Sequence, residues 1–509
     1  MPRSELTPQA RTPLTLLAVC LAACAMPLAF TGPAVALAAI ALDLGHDPIG
    51  LNWTTNAFML TFGGALMAAG ALADAHGRKR VFLSGAGLYA VCAALLALAP
   101  NLLVFDLLRA AQGLGAAAAL AGGMAALAQE IPQADRLRAF SLVGASFGAG
   151  LAGGPIVSGL VVVVLGWRGI FALGMICALA AVIIGARVMH ESRDPEARGV
   201  DVVGAALFTT ALTLLTWALL QGPQSGWGHP LVLTLLVGAA AALASFIRTE
   251  LRVSRPMLDL SLFQYPRFVG VQLLATAPAY AFVVLLILLP VRLVGVEGMS
   301  ALTAGRLMAA LSAPLLVLPI LAGWLSRWCS PSALCGGGLT VSAAGLVWLS
   351  RLPMDAVSWP LVGALATIGI GVSLPWGLMD GLAVSVVPKE RAGMAAGIFS
   401  TTRVAGEGVA LAIVVALLSS LIASRLPAMD GARAAAQRLA TGDLPAAMRR
   451  LPGLGAPAIH RAYSEAFDLL LLLLAAVTLS TAVVVFIFLR RDRSAKSNRF
   501  ELARRPGAS

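Results

Sequence analysis

The chain has 509 residues, of which 59% are hydrophobic and only 12% charged, against about 25% charged residues in an average soluble domain. This excludes a water-soluble globule and a disordered chain, and six cysteines with no C-x-x-C pair exclude a disulfide scaffold. A formal net charge of +12 raises nucleic acid as a partner, and the placement of that charge then argues against it.

About 20 apolar residues in a helix cross a hydrocarbon core of ~30 Å. Fourteen segments qualify: 14–39, 50–73, 81–99, 102–128, 140–163, 168–188, 201–220, 231–247, 267–290, 302–325, 333–350, 359–386, 394–424 and 467–489. The runs do not alternate, so they predict helices rather than barrel strands. The first follows Arg3 and Arg11, is too long for a signal peptide and leads at once into another span, so it is predicted to be retained. An even number of spans puts both termini on one side. That side also receives Arg78, Lys79, Arg80, Arg248, Arg252, Arg255 and a basic tail. The other side holds one long loop, 425–466, with Arg425, Arg433, Arg438, Arg449, Arg450 and Arg461, and short loops nearly free of Lys and Arg. The positive-inside rule therefore predicts cytoplasmic termini in a bacterial inner membrane. The basic excess reads as topology and contact with anionic membrane lipid, not nucleic acid.

Three patterns recur at nearly one offset. Gly70-Ala71-Leu72 answers to Gly323-Trp324-Leu325, Ile131-Pro132 with Arg136 to Val387-Pro388 with Arg391, and Gly150 to Gly406. The repeat predicts a cytoplasmic N-terminus 1–13, a six-helix half 14–190 and two inserted helices in 191–255. A second half over 256–489, carrying the 425–466 loop outside, and a tail 490–509 complete the chain. Two parallel halves about a shared midplane site are the rocker architecture of secondary transporters.

The turn after the second segment reads Gly70-Ala-Leu-Ala-Asp74-Ala75-His-Gly77-Arg78-Lys79. Gly70 permits close helix approach, Asp74 can pair with Arg78 or cap a helix, and Gly77 allows the tight turn. The run resembles the G-x-L-a-D-r-x-G-r-k loop of the major facilitator superfamily, with Ala75 where the family often has arginine. The resemblance implies a gating role for Gly70, Asp74, Gly77, Arg78 and Lys79, whose ion pairs would hold one conformation closed on the cytoplasmic side. The bland alternative is a charged turn.

In the fourth segment Arg109 and Gln112 share a helical face. A buried arginine in a span should face a cavity or a partner, and Asp106 is the local candidate partner. Arg109-Ala-Ala-Gln112-Gly113-Leu-Gly115 resembles the R-x-x-Q-G-x-G motif of proton-coupled facilitators, which implies a part in proton transfer. The alternative is a structural Asp106–Arg109 pair. The fifth segment carries Gly150-Leu-Ala-Gly-Gly154-Pro155-Ile-Val-Ser158-Gly159. It is similar to the antiporter motif g-x-x-x-G-P-x-x-G-G, with Ser158 for one glycine, and so implies export. Its small residues allow close packing and Pro155 removes a backbone hydrogen bond. Trp167-Arg168-x-Ile170-Phe171 follows the same family's pattern.

Further stretches resemble the fourteen-helix drug:proton antiporter branch, of the multidrug efflux and quaternary-ammonium resistance type. They are Trp53 with Phe58 and Leu60, Asp201-x-x-Gly204, Gly222-Pro223 with Gly226-Trp227-Gly228, and Pro256 with Asp259, Leu262 and Phe263. The last runs from Pro388 and Arg391 through Gly393, Ala395 and Gly397 to Thr402-Arg403. One family feature is missing. Ala29 and Ala34 stand where the branch usually has an aspartate and an asparagine in its first helix. Other acids can substitute. Glu407 lies deep in the thirteenth segment, where a desolvated carboxyl could exchange protons, unless Arg403 one turn earlier neutralises it. Asp380, near the cytoplasmic end of the twelfth, is a weaker candidate. Trp217, Trp376 and Phe399 are candidates for lining the chamber.

The expected fold is therefore an all-α integral membrane protein of the major facilitator type. The expected function is proton-coupled export of hydrophobic or cationic small molecules by alternating access. The alternatives are export of one metabolite or natural product, import, and a transport-inactive sensor or scaffold. No cofactor, catalytic group or metal site is expected: there is no phosphate-binding loop, and His46, His76, His190, His229 and His460 are scattered over loops and loop edges. A periplasmic adaptor protein docking on the 425–466 loop is a further candidate partner.

Overall fold

The computed structural model describes residues 8–131, 133–193, 201–253, 258, 260–387 and 392–490. Arg3, Pro132, Arg255, Pro256, Asp259, Pro388, Arg391 and the tail after Arg490 lie outside the described residues, as do the side chains of Arg11 and Arg136. Fourteen helices among the described residues are long and apolar enough to span a bilayer. They are α1 Pro8–Leu44, α2 Pro48–His76, α3 Arg78–Leu96, α4 Leu102–Glu130, α5 Gln133–Leu165, α6 Arg168–Val188, α7 Val202–Ser225 and α8 Pro230–Glu250. Then follow α9 Pro266–Val296, α10 Ala301–Leu325, α11 Pro331–Leu349, α12 Trp359–Ser385, α13 Ala392–Arg425 and α14 Ala456–Arg490. We call the face where α1 begins and α14 ends the terminal face, and the opposite one the distal face.

Helix ends in a membrane must satisfy their own backbone, and short polar side chains do so here. Asp47, Asn101 and Asp201 accept from Gly50, Val104 and Gly204 N–H at the starts of α2, α4 and α7. Ser330 and Ser358 cap α11 and α12, each followed by proline within the first two positions. Two expectations are corrected. Gly222-Pro223 lies inside α7, which ends only at Gly226 with φ 91°. The long loop is also shorter than 425–466, because Arg425 belongs to α13 and α14 starts at Ala456.

Helices α1–α6 pack chiefly among themselves, α2 and α3 on α4 and α1 on α5 and α6. In the last six, α11 packs on α12 and α14, and α9 on α13 and α14. The two sets meet along α2 with α13 and α5 with α10. Glycine sets both approaches. A Cβ on Gly63 would run into the backbone of Val404 and Ala405, and one on Gly159 or Gly305 into Ala301 or Pro155 carbonyls. Ser312 donates to Ala152 O at 3.0 Å at the same seam. α9 departs from regular geometry at Ala279–Val283 and Val291–Val296, both π-helical.

The distal loop is folded, with one face buried and Arg433, Arg449 and Arg450 exposed. Two short helices, Ala432–Ala440 and Leu444–Arg450, bury Ala435, Ala436, Leu439, Ala440 and Ala447. Together they form a strap. Its Gly442, at φ 80°, lies against Gly295 and the Val291 carbonyl of α9. On the other side Asp443 bonds Nδ1 of His46, in the α1–α2 turn, at 2.8 Å, and Arg438 donates to the His46 carbonyl.

Candidate functional site

Arg109 is fully buried on α4, and the motif around it explains how. Gly113 lets α2 come so close that a Cβ there would strike Thr61 and the Phe58 carbonyl, and Thr61 donates across to Ala110 O at 2.8 Å. This approach brings the Thr54 carbonyl to Arg109 Nε at 2.7 Å. Nη1 donates to Gln112 Oε1 at 2.6 Å, and the guanidinium sits 4.7 Å from the Phe58 ring centre. Nη2 has no hydrogen-bond partner. The structure does not form the Asp106–Arg109 pair: no ion pair joins them among the described residues, and Asp106 Oδ1 is itself unbonded. Arg109 is thus a buried cation held only by neutral acceptors and a ring. Ala29, at the position of the family aspartate, lines a small void with Gln112 and Tyr89.

Glu407 on α13 is 2% exposed, and no hydrogen bond or ion pair holds its carboxyl among the described residues. Arg403 does not neutralise it directly. It pairs instead with Asp380 at 3.2 Å and rests near the Phe399 and Trp376 rings at 5.5 and 5.9 Å. Asp380 is 58% exposed, so the predicted acid there is an outer partner of Arg403 rather than a buried group. Trp376 and Phe399 are buried, whereas Trp217 is exposed on the outside of α7.

The turn at Gly77, φ 118°, is a hub of α2, α3, α4 and α6. Arg78 grips Asp74 Oδ1 through Nε and Nη2 at 2.9 and 2.8 Å, and reaches Gln129 at 3.1 Å. Lys79 Nζ donates to the last carbonyls of α6, Ala186 and Met189, at 2.9 and 2.7 Å. Glu191 accepts from the N–H groups of Lys79 and Arg80, a carboxylate on the N-terminus of α3. Gly70 is a correction: nothing lies within 4 Å of a Cβ there, so it is not a point of close approach. The small residues of the α5 run pack closely: Cβ atoms on Gly150 and Gly154 would meet the Cys24 carbonyl and Thr31 of α1, while the Pro155 carbonyl faces Gly305 of α10.

Sequence reasoning missed a second buried arginine. Arg292, 3% exposed in the distal π-segment of α9, bonds Glu297 Oε1 at 2.9 Å. Glu297, 2% exposed, holds His460 Nε2 at 2.7 Å. Arg292 also reaches Ser464 at 3.2 Å, stands 3.9 Å from Asp468 and lies 4.7 Å from the Phe467 ring centre. His460 is therefore on α14 and paired, not in a loop. The one available signal was an arginine and a glutamate closing an otherwise apolar run.

Fourteen spans and these motifs meet the comparison with known proteins. The Major Facilitator Superfamily profile matches residues 17–411. The chain belongs to that family. Its members are membrane transporters of small molecules, not enzymes. The multidrug resistance protein Stp of Mycobacterium tuberculosis is 31% identical over 75% of this chain and 71% of that protein. A probable actinorhodin transporter of Streptomyces coelicolor is 31% identical over 80% and 72%. The tetracenomycin C resistance and export protein of Streptomyces glaucescens is 28% identical over 81% and 77%. The fold also matches an inward-facing, unoccupied bacterial homolog of the human lysosomal transporter Spinster. That likeness has a TM-score of 0.62 at 15% identity, covering 96% of this chain and 98% of that one.

Proposed function

We propose that this facilitator exports hydrophobic or cationic small molecules from bacteria in exchange for protons. The observation that carries the reading is Glu407: a buried carboxyl with no direct partner, on the helix that meets α2 across the molecule. A carboxyl so placed is costly as a free charge and inexpensive as an acid, so it can take up and release a proton as its surroundings change. Arg109 supplies a fixed positive charge on the opposing set of helices.

In this reading α1–α6 and α9–α14 are two lobes that rock about a central chamber, with α7 and α8 inserted between them and both termini cytoplasmic. The Gly77 hub braces the first lobe at the cytoplasmic face. Binding of proton and substrate to different states couples the two fluxes. The membrane potential adds about 2.3 kcal/mol per charge per 100 mV.

A second reading is export of one particular natural product, favoured by the likeness to a probable actinorhodin transporter and a tetracenomycin C resistance and export protein. The experiment for the first is ethidium movement in proteoliposomes under an imposed pH gradient. Accumulation that a protonophore abolishes is expected. Ethidium flux indifferent to the gradient overturns proton coupling, and absence of ethidium flux beside transport of actinorhodin or tetracenomycin C favours the second reading.

A further inference from the structure

The Arg292 cluster is a buried charged assembly that the proposed mechanism leaves unused. Its members come from two helices. Arg292 and Glu297 belong to the end of α9, and His460, Ser464 and Asp468 to the start of α14. Arg292 and Glu297 are almost wholly enclosed, while His460 and Asp468 are each 39% exposed. Nη1 of Arg292 and Oδ1 of Asp468 are buried atoms without hydrogen bonds, 3.9 Å apart.

The formal charges decide what such a cluster wants. One guanidinium faces two carboxylates, so with neutral His460 the group carries one uncompensated negative charge beside the apolar core. Burying unbalanced charge is expensive, and binding one proton removes the imbalance. The surrounding groups do not supply that charge from within. Glu465 of α14 pairs with Arg425 of α13 at 2.7 Å, and Arg438 and Asp443 of the strap face each other at 3.7 Å. Arg351, after α11, acts on Asp468 from an exposed position, and Arg461 next to His460 is exposed too. Both are screened by solvent.

We propose that His460, Glu297, Arg292 and Asp468 form the proton-uptake site on the distal face, which rests on the proton-coupled reading above. In the tautomer whose Nε2–H donates to Glu297 Oε2, a proton from the distal medium adds to Nδ1 of His460. The Nε2 proton passes to Glu297, so one proton enters, the imidazole is neutral again and Glu297 is an acid. Arg292 then loses its carboxylate and turns Nη1 to the waiting Asp468 Oδ1. The same turn of α9 seats the strap, through Val291 and Gly295 against Gly442. Loading the proton therefore reshapes the seat of the distal strap, which ties uptake to opening.

Ethidium in everted vesicles separates this from a purely structural staple. Glu297→Gln and His460→Gln are expected to lower uphill, pH-driven ethidium accumulation at least about tenfold, a 1.4 kcal/mol effect. Ethidium exchange, which needs no net proton movement, should fall far less. Uphill transport unchanged in both variants overturns the proposal, and so does equal loss of accumulation and exchange in inserted His460→Gln protein, the milder change. Wild-type vesicles that ignore the pH gradient overturn the proton-coupled reading instead. The site is then judged without substrate, by the histidine carbon NMR titration of the purified protein. The His460 signal, assigned by its absence in His460→Gln, must change its titration midpoint in Glu297→Gln. An unchanged midpoint overturns the cluster as a coupled proton site.

Discussion

Two buried arginines, one in each set of six helices, are solvated in opposite ways. Arg109 and Arg292 each lie 4.7 Å from a phenylalanine ring centre and each keeps one N–H group unbonded. Arg109 is otherwise held by a backbone carbonyl and an amide, groups that cannot change charge. Arg292 is held by a carboxylate that is itself held by a histidine. The first environment holds a charge among neutral groups, and the second ties it to groups that carry exchangeable protons. In the proposed proton-coupled cycle the two would act as a constant reference and a variable partner.

The comparison breaks most sharply at Arg109. Arg109→Gln strands the Thr54 carbonyl and Gln112, and transport in vesicles is expected to fall at least about 100-fold, near 2.7 kcal/mol. Survival of transport would mean the fixed charge is dispensable. Glu407→Gln comes next: accumulation against a gradient should drop at least about tenfold while exchange of labelled substrate persists. Full uphill transport would remove Glu407 from the coupling route. Gln112→Leu keeps the arginine but deletes its acceptor, and should lower stability by about 1–3 kcal/mol, read from the denaturation midpoint in detergent. Asp380→Asn removes an ion pair whose carboxylate is mostly exposed, and transport should stay within about twofold, since such pairs contribute about 0–1 kcal/mol.

Membrane spans were legible because lipid demands long, uninterrupted apolar helices, and no tertiary detail alters that. The Asp74–Arg78 pair was legible because both ends lie four residues apart across one tight turn. The partners of Arg403 and Arg292 were not. A local pattern favours Glu407 for Arg403, yet the packing of α12 on α13 brings Asp380 instead. For Arg292, Glu297 lies close in sequence, but Asp468 and His460 join only when α9 and α14, far apart in sequence, pack side by side. The helices of the distal loop were not legible for a different reason. Exposed arginines mark one face, while the alanines and leucines form a buried face that is invisible without a register.

That strap is pinned by two left-handed glycines, Gly431 and Gly442, on either side of its first helix. Each holds a turn that no residue with a side chain would adopt cheaply. A side chain at either position would therefore cost conformational energy and tilt the short helix between them off its buried face, and at Gly442 it would also break the close seat on α9.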